Sequence, residues 1–186
     1  GLNLVFGTTG LTNFSHGDLL TLGAFTALIL NEAGLHIIIA APIAIVIAAV
    51  LFGWGQNKVL WRPLRRRKTG LIAMMIITIG LAIVIRYGVA LFFGGAPRNF
   101  NQYAGQAGIE IGPVSTTPKA LILAGLATIA LILTVIWVQR SRIGKATRAV
   151  SDNPALASAT GIDVEKVIAV VWTLAAGLAA FSGIYL

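Results

Sequence analysis

The sequence predicts an all-α fold, a polytopic bundle of helices that crosses a membrane several times. Four long apolar runs, a charged fraction of only 11%, and basic residues gathered between those runs carry the prediction. A soluble domain has about 25% charged residues. Mean hydropathy is +0.88. Uninterrupted apolar runs also exclude strands, which would alternate with a period of two.

A bilayer core takes about 20 apolar helical residues to cross. Residues 35–54, 71–93, 120–138 and 164–186 meet that length, the second interrupted by Arg86. The opening differs. Residues 1–6 read as the tail of a helix. Gly7-Thr8-Thr9-Gly10 and Asn13-Phe14-Ser15-His16-Gly17 then interrupt the apolar pattern, and a further helix follows over 17–30. Gly and polar residues at membrane depth are tolerated where protein or a water-filled cavity satisfies the backbone. The opening is therefore a broken helix or a break between two spans. Both termini fall inside helical patterns, so residues 1–186 read as one transmembrane domain cut from a longer chain.

Of 14 Lys and Arg, six lie between Lys58 and Lys68 and five between Arg140 and Lys166. Short basic segments between apolar spans mark the cytoplasmic side. This places 55–70 and 139–166 in the cytoplasm, and 31–36 and 94–119 outside. The same distribution argues against reading the net charge of +8 as a nucleic-acid footprint. Trp54 and Trp137 fall at the cytoplasmic ends of their spans, where aromatic belts sit. The outer segment 94–119 reads as a surface loop with a short strand at 108–111. Two rows of small residues, Ala40, Ala44, Ala48 and Ala175, Ala179, Gly183, predict close helix crossings.

Little in the chain points to covalent chemistry. It has no cysteine, no Gly-x-x-x-x-Gly-Lys-Ser/Thr phosphate loop and no metal-ligand spacing, so no cofactor is expected on it. His36 stands alone at a span boundary. Ser15, His16 and Asp18 admit three readings. Ser15 or Asp18 caps the following helix, or Asn13, Ser15, His16 and Asp18 line a pathway, or Ser15 and His16 serve a hydrolytic relay, for which no oxyanion donor is evident. Arg86, about 10 Å inside its span, either snorkels, pairs structurally or meets a substrate.

Segment 139–166 is the most informative. A short helix suits 143–150, and Ser151-Asp152-Asn153 breaks it. Asn153 followed by Pro154 is a helix start. Two turns follow, and Gly161 supplies a left-handed stop. Asp163 caps the next span. Arg142, Lys145, Arg148 and Asp152 flank this small helix, and its small residues, Ala157 among them, suit a narrow groove. The segment is longer than a connector requires, and docking of a partner is the sharper reading.

These residues resemble a known family. GLNLVFGTTGLTNFSHGDLLTLGAF is similar to the start of branched-chain amino-acid ABC transporter permeases. LWRPLRRRKTGLIAMMIITIGLAIVIR resembles their basic loop and following span, and RIGKATRAVSDNPALASATGIDVEKVIAVVWTLAAGLAAFSG their coupling loop and the span after it. The resemblance covers nearly the whole chain in matching order. Importer permeases generally carry Glu-Ala-Ala-x-x-x-Gly in that loop. Here Ala157 and Gly161 match, and Ala155 stands where Glu would be.

The resemblance implies a permease subunit in the bacterial inner membrane, with 139–166 as its coupling loop. It implies a second permease subunit, two cytoplasmic ATP-binding subunits and an external solute-binding protein as partners. It implies hydrophobic amino acids as cargo, moved by alternating access, with Arg148, Asp152, Asn153, Pro154, Ala157 and Gly161 at the ATPase contact. A urea or amide importer shares that architecture. A membrane-embedded hydrolase using Ser15 and His16, and a passive channel, are readings of other classes.

Overall fold

The computed structural model describes residues 1–94, 98, 100, 109–111 and 114–185. Eight helices are seen among them. They are α1 (Leu2–Thr9), α2 (His16–Glu32), α3 (Ile37–Arg66), α4 (Leu71–Phe93), α5 (Pro118–Arg140), α6 (Arg142–Asp152), α7 (Pro154–Ala159) and α8 (Val164–Tyr185). Strands β1 (Ile109–Ile111) and β2 (Val114–Thr116) pair as an antiparallel hairpin, Ile109 opposite Thr116. The short strand expected at 108–111 is thus present from Ile109. Gly108 and most of the outer segment lie outside the described residues.

Helix α8 is central, packed on α1, α2 and α3. The small-residue rows explain how. A Cβ on Gly23 of α2 would run into Ala180 Cα, and one on Gly183 into the Leu20 carbonyl. On α3, Gly53 leaves only 2.6 Å between its missing Cβ and Thr173 Cα. Backbones that close require glycine or alanine at the crossing. Ala40 and Ala44 are buried with Ala27 and Ile184, and Ala48 is buried as well. The outer helices behave differently. Half of the most apolar stretch of α8 is buried, but only 6% of that in α4 and none of that in α5. Their exposed Ile, Leu and Phe side chains suit lipid or protein rather than water.

One boundary departs from expectation. The span expected to end at Trp54 continues to Arg66, so the basic loop shrinks to residues 67–70. Lys, Leu, Arg and Gln are good helix formers, and Asn57 and Trp61 turn inward, 2% and 0% exposed. Trp61 stacks on Trp172 with ring centroids 5.3 Å apart. From Ala49 to Gly55 and from Asn57 to Trp61 the helix is wound with wider, π-type turns, a form usually confined to single turns.

The bundle has two chemically distinct ends. At one, the Arg65 guanidinium grips Glu165, and α6 and α7 pack on the foot of α8 through Val150, Ala157 and Val167. At the other, Arg98 meets Glu32 at 3.1 Å. Segments 62–68 and 140–166 therefore share one end, as the charge pattern requires.

Candidate functional site

The break between α1 and α2 is a reversal of the chain. Gly10, at φ +67°, ends α1 by giving its N–H to the Phe6 carbonyl at 2.8 Å. Only a residue without a Cβ takes that left-handed turn freely. The chain returns so closely that the His16 Nε2 lies 2.9 Å from where a Gly1 Cβ would stand. The chain thus breaks between two separate helices of 8 and 17 residues.

Asn13 organises the turn. Its Oδ1 accepts from the Ser15 N–H at 3.2 Å and from the Ser15 hydroxyl at 2.7 Å. Asn13 and Ser15 are 2% and 0% exposed. Asn13 Nδ2 is buried without a hydrogen bond among the described residues. Ser15 does occupy the N-cap position of α2, yet its side chain makes no capping bond. The capping role expected of Ser15 is therefore corrected: its proton goes back to Asn13. The same bond counts against a hydrolytic relay, since among the described residues Ser15 Oγ makes no hydrogen bond with His16.

Two contacts fasten the turn and α2 to α4. The Phe14 N–H donates to Thr78 Oγ1 at 3.2 Å, and the Thr78 hydroxyl donates to the Met75 carbonyl at 2.6 Å. Asp18, in the first turn of α2, lies 3.4 Å from Arg86. Asp18 is 9% exposed at its side chain and Arg86 74%. Arg86 is thus the structural pair its position allowed. Thr78 and Arg86 each lie seven residues from an end of α4, roughly 10 Å inside. The polar contacts therefore fall within hydrocarbon depth, where such groups are expensive unless paired. Asn13 and Ser15 are enclosed by the chain itself. The exposed groups here are Phe14 of the turn, 51% exposed, and the Arg86 side chain on α4. Thr78 was missed in the sequence, although it is the one hydroxyl in the first half of an otherwise apolar span.

The second candidate site is the α6–α7 unit. Ser141 Oγ caps α6 by accepting from Gly144 N at 2.8 Å. A Cβ on Gly144 would strike the Val138 carbonyl, so the α5–α6 elbow closes tightly. Asn153 Oδ1 accepts from Leu156 N at 3.0 Å, Pro154 starts α7, and Gly161 stops it at φ +86°. Asp163 Oδ1 then caps α8 through Lys166 N at 3.0 Å. The Asn153–Pro154 start, the Gly161 stop and the Asp163 cap match the sequence reading, whereas α6 runs over Arg142–Asp152 rather than 143–150, with Ser151 and Asp152 inside it and Asn153 alone ending it.

On α7, Ala155, Ser158 and Ala159 are exposed as expected, but Ala157 is not. Ala157 is 3% exposed and packs inward on Val150 and Val167, so its side chain is not offered to a groove on another protein. Leu156, 63% exposed, points away from the chain. Arg142, Lys145, Arg148 and Asp152 are exposed around it, and Arg148 also reaches the Gln139 carbonyl at 3.3 Å.

The comparisons with known proteins agree with one another. A family model described as "Branched-chain amino acid transport system / permease component" matches residues 1–186. The high-affinity branched-chain amino acid transport system permease protein LivH of Escherichia coli (strain K12) is 28% identical over 198 residues, covering 100% of this chain. The protein of that name from Salmonella typhimurium is 29% identical with the same coverage. The permease protein BraD of Pseudomonas aeruginosa is 28% identical over 202 residues. This chain spans 64% of the length of each of these relatives. No solved structure gives a significant match.

Proposed function

We propose that this chain, which belongs to the branched-chain amino acid transport system permease family, is the transmembrane permease subunit of an ATP-driven importer for branched-chain or other hydrophobic amino acids. It makes no covalent bonds. Its partners are a second permease subunit, two cytoplasmic ATP-binding subunits on separate chains and an external solute-binding protein. It sits in the bacterial inner membrane with the Arg62–Lys68 end in the cytoplasm. Names of the relatives support the cargo and the class of machine.

One observation carries the mechanism. The α6–α7 unit is a capped, packed body fixed to the foot of α8, and α8 crosses α2 almost backbone to backbone. Helix α2 begins at the polar turn. A push on Leu156 and its neighbours by a closing ATPase therefore reaches Asn13–Asp18 through one stiff train of packed groups. Alternating access follows if that push favours one of two arrangements of the bundle. In this scheme Asn13 and Ser15 hold the turn, while Phe14, His16 and the Asp18–Arg86 pair border the path taken by the cargo. Arg148, Asp152, Asn153, Pro154 and Gly161 position the ATPase contact, and Ala157 supports it from beneath.

The test is uptake by proteoliposomes holding the full-length permease, its ATPases and its binding protein. Leucine, isoleucine or valine should accumulate only with ATP. Accumulation of urea instead would move the chain to the amide importers, and flux without ATP would make it a channel.

A further inference from the structure

Helix α3 has 30 residues, against the roughly 20 that cross a hydrocarbon core of about 30 Å. Counted from Ile37, the surplus begins near Gln56, so Lys58 and Arg62 stand at headgroup depth. There a cleft of about 340 Å³ opens between α3 and the start of α8, within the size range of small-molecule sites. Lys58, Arg62 and Lys166 line it, with Trp54 as its apolar wall. Two carboxylates also line it, but both are engaged. Arg65 takes both oxygens of Glu165, at 3.2 and 3.0 Å, and Asp163 caps α8. Arg62 Nε is buried without a hydrogen bond among the described residues, 3.6 Å from Glu165. Lys58 Nζ lies over the Trp54 ring at 4.6 Å from its centroid. The cleft therefore holds more cations than its own anions satisfy.

We propose that this cleft binds the phosphate of an anionic phospholipid. Free phosphate has the same charge chemistry, and the surface above the cleft decides between them. Val46, Val50 and Trp54 recur every fourth residue on α3, are 62%, 47% and 46% exposed, and lead down to Lys58. An acyl chain lies along that row while its headgroup enters the cleft, with Trp54 at the boundary where such rings settle. The proposal rests on the chain spanning a membrane and not on what it transports.

The experiment uses the assembled complex, stripped of lipid and titrated in detergent with phosphatidylglycerol, phosphatidylcholine or inorganic phosphate. Bound lipid is counted by native mass spectrometry and its effect read as thermal stabilisation. Phosphatidylglycerol should be retained and stabilise, and the other two should not. Lys58→Gln and Lys166→Gln should each lower its affinity about fivefold. The charge-matched pair Arg67→Gln and Lys68→Gln, outside the cleft, should leave it unchanged. Equal retention of phosphatidylcholine, equal loss in the outside pair, or no loss in the cleft variants would overturn the site. Stabilisation by inorganic phosphate would overturn the lipid and leave a soluble anion. A cysteine placed at position 58 that cross-links to an ATPase subunit would assign the cleft to that protein instead.

Discussion

Arg65 and Glu165, a hundred positions apart in the chain, meet in a two-pronged ion pair, and the same guanidinium donates to buried Asn57 at 2.8 Å. One cation thus joins the end of α3 to the first turn of α8. Arg65→Ala leaves the Asn57 amide oxygen without that partner and one carboxylate half paired. A loss of about 1–3 kcal/mol is expected, seen as a lower melting temperature of the purified complex. Exchanging the two residues, Arg65→Glu with Glu165→Arg, should restore part of it, and no restoration would mean that the pair itself contributes little.

The glycine crossings separate two kinds of position. Gly23→Ala places a methyl group against Ala180 Cα, whereas the same change at Gly80 meets nothing within 4 Å. Overpacking of this kind costs about 1–3 kcal/mol. Thermal melting in detergent should show a clear loss for Gly23→Ala and none for Gly80→Ala. Equal behaviour of the two would show that α2 and α8 relax apart easily.

On α7, neighbouring residues should fail in different ways. Leu156→Asp alters only the outward face, so membrane insertion and melting should be unchanged while substrate-stimulated ATP hydrolysis falls severalfold. Ala157→Trp forces a large side chain between Val150 and Val167, so it should destabilise this chain even without its ATPase. Normal coupling in Leu156→Asp would reduce the segment to a connector.

At the polar turn, Thr78→Val keeps shape but removes the acceptor of the Phe14 N–H. Transport should drop by more than half with assembly intact. Ser15→Ala tests the same turn from the other side, because only its bond to Asn13 is lost. A serine-directed reagent should have no effect on activity, and inactivation that Ser15→Ala prevents would revive the hydrolase.

Orientation can be read directly in a chain without cysteine. Lys68→Cys should react with an impermeant thiol reagent only when the cytoplasmic side is opened, and Arg98→Cys in intact spheroplasts. The reverse pattern would invert the bundle.

The spans and the caps at Asn153, Gly161 and Asp163 were legible because each is a local rule. Apolar length and cap chemistry do not depend on what packs nearby. The extension of α3 to Arg66 was hidden by its charges, which read as loop although Asn57 and Trp61 fit a buried face only once α8 is in place. The six residues of α7 are too few to fix which side turns inward, so the burial of Ala157 was not legible. Thr78 gained its role from a backbone N–H 64 positions away, which no local pattern encodes.

The interlocked crossings of Gly23 with Ala180 and Gly183 with Leu20 also restrict motion. A lengthwise slide would drive side chains into the opposing backbone at both points, and a twist would open one while closing the other. Helices α2 and α8 are therefore expected to travel as a single piece. Spin labels at positions 22 and 182 should then keep one separation through the whole transport cycle, while distances from either to α5 change.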